Sequence, residues 1–129
     1  MLRENKLRIF KVKAFSRWVR KEKITDSVLY EAVIEMRKGL IDAQLGSGVC
    51  KKRIPASSRG KRGGARTIVA FQNSKHTFFM FGFLKNETSD IDQTELKRLK
   101  QYAQRLLALS AEQVTQLIND EELFEVKLQ

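Results

Sequence analysis

The chain has 129 residues, of which 42% are apolar, with one cysteine and one histidine. That length suits one domain, 1–129, with a modest core, and the lone Cys50 excludes an internal disulfide framework. Cys50 and His76 alone cannot build a zinc site, so no metal or cofactor is expected. No apolar run approaches the roughly 20 residues that span a bilayer, and MLRENKLRIF lacks the apolar core of a secretory signal. The expected location is the cytoplasm, with no membrane contact.

The formal charge is +10 and is unevenly placed. Residues 1–66 hold 18 Lys and Arg against 6 Asp and Glu, a net of +12. Residues 67–129 hold 7 against 9, a net of −2. Between Asp42 and Glu87 there is no acid but there are nine Lys and Arg. Solubility alone favours interleaved signs, so this one-sided field points to a polyanionic partner, nucleic acid before an anionic membrane.

In chain order, Leu7 to Phe15 alternates like a strand, with Phe10, Val12 and Ala14 on one face. Ser16 is placed to cap a short helix carrying Trp18 and Val19. Asp26 is placed to cap a longer helix to about Leu40, whose Leu29, Ala32, Val33, Met36 and Leu40 form one stripe. Gly39 sits where helices stop. Leu45 to Gly48 reads as a turn, Val49 to Ile54 as a cationic strand, and Pro55 to Gly64 as a loop. Arg66 to Phe71 and Thr77 to Phe83 are strands joined by a turn at Gln72 to Lys75. The second, TFFMFGF, is apolar on both faces and belongs at the centre of a sheet. Asp92 with Glu95, and Ser110 with Gln113, carry the capping-box signature, each heading a helix. Leu123 to Leu128 is a candidate closing strand. The predicted fold class is α+β: a small sandwich with an N-terminal strand, two helices, an antiparallel strand meander, then C-terminal helices.

The basic segment is the candidate site. Alternation sends Lys52 to one face of its strand and Lys51 with Arg53 to the other. Arg59, Lys61 and Arg62 follow in a loop, and Arg66 opens the next strand. Pairing of the two strands returns Arg66 towards Lys51 and Arg53, and Lys85 ends a neighbouring strand. The glycine-rich GKRGG is no nucleotide-binding loop, because the Gly-x-x-x-x-Gly-Lys-Ser/Thr pattern is absent. Charge alone favours simple binding of backbone phosphates over catalysis. The catalytic alternative is attack of an RNA 2′-hydroxyl on its adjacent phosphate. Arginines would hold that phosphate by bidentate hydrogen bonds, and a lysine crowded by cations would move the proton. His76 lies in a turn, where solvent exposure is expected, and is a poor catalyst candidate. Cys50 is read as an ordinary strand residue.

The run LGSGVCKKRIPASSRGKRGGARTIVAF followed by HTFFMFGFLKNETSDI resembles the RelE/HigB-type toxins of bacterial toxin–antitoxin pairs. The resemblance extends from about Phe10 to Val126. It rests on Gly60-Lys61-Arg62-Gly63-Gly64-x-Arg66 combined with Lys85-Asn86-Glu87. It implies a RelE-like fold and an endoribonuclease that cuts messenger RNA in the ribosomal A site and so inhibits translation. The implied catalytic residues are Lys51, Arg53, Arg66 and Lys85; Lys52, Arg59, Lys61, Arg62, Asn86 and Glu87 are expected to bind RNA. The implied partners are messenger RNA, the ribosome and a cognate antitoxin. That antitoxin is expected to be a helix-turn-helix protein with acidic contacts, through which alone the toxin would meet operator DNA. The chain departs from the family pattern at Asn86, where an arginine is usual, and at Ile91, near an expected tyrosine. Two alternatives stand beside this: a same-fold toxin acting on another target such as DNA gyrase, and a non-catalytic RNA- or ribosome-binding module.

Overall fold

The computed structural model describes residues 7–56 and 64–127. Strand β1 (Ile9–Val12) passes directly into helix α1 (Lys13–Glu22). Helix α2 (Asp26–Arg37) and strand β2 (Ala43–Gly46) follow. Strands β3 (Val49–Ala56), β4 (Gly64–Ala70) and β5 (Thr77–Leu84) form a meander. Helices α3 (Gln93–Leu107) and α4 (Ala111–Asn119) lead to a short strand β6 (Leu123–Glu125).

The six strands form one mixed sheet in the order β2-β3-β4-β5-β1-β6. Only β1 with β5 is parallel. Strand β5 sits inside the sheet, as its two-sided apolar sequence predicts. Helices α1 and α2 cover one face. Phe15 of α1 stacks on Phe79 at 5.3 Å, and Met36 of α2 meets Cys50 at 3.7 Å. Helix α3 covers part of the other face, where Leu106 and Leu107 lie beside Phe78 and Phe78 stacks on Phe10 at 5.4 Å. The class is therefore α+β, as the order of elements predicts.

Several boundaries differ from the sequence reading. The chain turns helical at Lys13, not at Ser16, because Phe15, Ser16 and Val19 form a buried helical stripe; four apolar residues fit either period. Thr25, not Asp26, caps α2, its hydroxyl accepting from the Val28 N–H at 3.4 Å. Asp26 instead pairs with Lys11 at 2.7 Å. That helix ends at Arg37, and Gly39 follows at φ +92°, a left-handed conformation that stops a helix; Leu40 is left 58% exposed. The expected turn over Leu45 to Gly48 is partly strand β2, with only Ser47 and Gly48 turning. Pro55 lies within β3, not in a loop.

Candidate nucleic-acid interface

Strand register builds the site. Across β3, β4 and β5, Arg53 stands opposite Arg66, which stands opposite Phe83. The neighbouring row on the same face is Lys51, Ile68 and Phe81. Directly opposed residues have Cα atoms about 5 Å apart, and Lys51 lies about 7 Å from Arg53 along its strand. Three cations thus share one small patch of sheet. Like charges placed opposite one another destabilise a sheet, so packing alone does not account for the Arg53–Arg66 pair.

Lys85 follows β5 directly, and its N–H donates to the Gly64 carbonyl at 3.2 Å. This brings it to the same end of the sheet as Arg66. Asn86 and Glu87 are exposed in the adjoining turn, where the Glu87 N–H donates to the Leu84 carbonyl at 3.0 Å.

Two carboxylates that the sequence reading missed reach the cluster. Asp90 accepts a hydrogen bond from Lys51 Nζ at 3.1 Å. The Ile91 N–H and then Lys51 hold the Asp90 carboxyl below its ordinary 3.8. Asp42 Oδ2 lies 4.0 Å from Arg66 Nε. Only Asp42's place at one boundary of the acid-free stretch hinted at this; Asp90 is 39 residues from Lys51 in the chain. These acids are internal counter-ions on Lys51 and Arg66, and Arg53 is exposed. Phe81 and Phe83 lie beside the cations with ring centroids 6.4 Å apart, Phe81 half-buried.

Other candidates lie elsewhere. Lys52 is only 6% exposed on the opposite face. Its ammonium pairs with Glu35 at 2.7 Å and donates to the Leu40 carbonyl at 3.0 Å. Lys52 is thus buried and paired on the α2 side, away from the face that carries Lys51 and Arg53. Arg59, Lys61 and Arg62 lie outside the described residues. His76 precedes β5 while Lys85 follows it, which separates them by about 30 Å of extended strand. His76 is half-buried, not exposed, and its Nδ1 accepts from the Arg8 N–H at 2.9 Å. Burial foremost, then Arg8, lowers its imidazole from 6.5. Burial pushes the Cys50 thiol up to about 12, outweighing the opposing pull of Lys52, so Cys50 is no thiolate nucleophile at neutral pH.

The model of the RelE toxin of the RelE/RelB toxin–antitoxin system matches residues 7–126. The chain belongs to this RelE toxin family. A RelE-family chain is the toxin of a toxin–antitoxin pair, and membership implies a cognate antitoxin. The match runs through every described strand and helix, so the Lys51, Arg53 and Arg66 positions all lie within the matched region. Among the described residues, no helix is long and apolar enough to cross a membrane.

Proposed function

We propose that this RelE-family toxin is an endoribonuclease that cuts messenger RNA, in the ribosomal A site, and thereby inhibits translation. The observation that carries this reading is Arg53 opposite Arg66 with Lys51 on the same face. A juxtaposition that opposes folding becomes favourable once a phosphate lies between the guanidinium groups. The 2′-oxygen attacks the adjacent phosphorus and the P–O5′ bond breaks. The products are a 2′,3′-cyclic phosphate and a 5′-hydroxyl, with the proton leaving the 2′-oxygen and one arriving on the 5′-oxygen. Arg53 and Arg66 stabilise the charge on the phosphate. An incoming phosphate displaces Asp90 from Lys51, and Lys51 serves as the proton-transfer group. Lys85 assists the leaving oxygen. Arg59, Lys61, Arg62, Asn86 and Glu87 are assigned to RNA binding around this centre, and the antitoxin covers the same face.

Mapping messenger RNA 5′ ends by primer extension in cells expressing the toxin tests the proposal. New ends inside translated reading frames are expected with the wild type and none with Arg66→Ala. The same ends with Arg66→Ala would remove Arg66 from the site.

A further inference from the structure

Helix α1 divides sharply into two sides. Phe15, Ser16 and Val19 are buried against the sheet, while Lys13, Arg17, Arg20 and Lys21 are exposed. The exposed four follow the i, i+4, i+7, i+8 spacing of one helix face and extend about 12 Å along the axis. This face works against the helix that carries it. Its first turn holds no acid, although the positive end of the helix dipole favours one. Lys13 with Arg17, and Arg17 with Lys21, are like charges four residues apart, which destabilise a helix. Arg20 and Lys21 suit the last turn, but Lys13 and Arg17 have no such reason. Among the described residues, the stripe's one ion pair is Lys13 with Glu122, at 3.9 Å.

Helix α1 lies on the sheet face opposite Lys51, Arg53 and Arg66: Trp18 covers Gly82, in the row that contains Lys52 and Thr67. A strand held in the cleft therefore does not reach the α1 cations. We propose that the Lys13–Arg17–Arg20–Lys21 stripe is a second nucleic-acid surface, one that grips the phosphate backbone of base-paired RNA while the opposite face handles a single strand. The inference extends the RNA-directed reading of the cleft and rests on it. A protein partner fits the stripe less well. Protein interfaces are built on aromatic or aliphatic anchors and are depleted in lysine, and no large apolar side chain is exposed on α1. Backbone recognition of a duplex needs only cations at intervals, and duplex RNA is read mostly by shape and phosphate contacts.

The test compares binding of a 2′-O-methylated RNA hairpin and a 2′-O-methylated unstructured strand, neither of which can be cut. The variants are the triple Arg17→Gln/Arg20→Gln/Lys21→Gln and Arg66→Ala. The triple variant changes only exposed positions to a good helix former, and circular dichroism checks its fold. It is expected to weaken hairpin binding and leave strand binding unchanged. Losing three phosphate contacts lowers the salt slope by about 0.9 each, so between about 50 and 200 mM salt the wild type loses about 40-fold more hairpin affinity than the variant. Unchanged hairpin affinity, or equal weakening of both RNAs, overturns the proposal. Loss of antitoxin binding with hairpin binding intact assigns the stripe to a protein and overturns it too. Arg66→Ala separates the two readings, because undiminished strand binding by that variant counts against the cleft and leaves the hairpin result standing by itself.

Discussion

Arg53 and Arg66 face each other across β3 and β4, an arrangement that opposes folding and that the proposed phosphate site would use. Opposed like charges are worth about 0.2–1 kcal/mol against folding. Arg53→Gln is therefore expected to leave stability within about 1 kcal/mol of wild type or raise it, while removing RNA cleavage. Urea unfolding beside a cleavage assay checks both, and a destabilised variant that still cuts would contradict the assignment. His76 gives a second expectation. Its folded-state imidazole is lowered from 6.5, so below that value the unfolded chain binds more protons. Stability is then full above 6.5 and declines as pH falls towards the lower folded value. Urea midpoints should fall over that range in the wild type and flatten in His76→Leu; an unaltered slope would mean another group titrates. That Lys51, Arg53 and Arg66 share one face was legible in the sequence because strand alternation and hairpin pairing are short-range rules. Asp90 was not, because its contact with Lys51 depends on how the turn after β5 folds back over the sheet. Lys52 shows a limit of charge counting, since a cation in a basic run can be a buried partner of Glu35.

At the level of elements, the meander was legible and the faces of β5 were not. Alternation through TFFMFGF puts Phe79, Phe81 and Phe83 together. A register shift between Ile68 and Val69 instead pairs Phe79 with Val69 and Phe81 with Ile68, a bulge that re-aims the strand. Phe79 then packs under α1, and Phe81 and Phe83 join the cationic face. Capping signals divided similarly. Ser110 and Gln113 make both bonds of a capping box, whereas Asp92 makes no side-chain cap; the same spacing does not secure the same bond when the preceding loop sets a different approach. The bulge also leaves Gly82 beneath the Trp18 ring. A Cβ there would lie 2.6 Å from Trp18 Cε3 and Cη2. Gly82→Ala should cost about 1–3 kcal/mol by overpacking, read as a lower urea midpoint. Wild-type stability would show that α1 shifts freely on β5.

For the whole molecule, the dominant feature is the net of +12 over residues 1–66 against −2 over the remainder. Such a field attracts polyanions and acidic protein surfaces alike. If the antitoxin neutralises the cleft, its affinity should fall as salt rises, because exposed charges are screened within about 8–10 Å at physiological ionic strength. Salt-independent binding would place it on an apolar surface. Family, fold class and the cationic strands could be read from the chain; the surfaces that oppose one another across the sheet could not, because sequence spacing does not record which helix covers which face. The central claim is that the Lys51–Arg53–Arg66 face performs chemistry on RNA and does not merely hold it. Single-turnover cleavage at saturating RNA separates those roles. Removing a group that stabilises developing charge lowers the rate by about 10²–10³-fold, so Arg66→Ala should show that loss even with all RNA bound. A wild-type rate for Arg66→Ala at saturation would contradict the account.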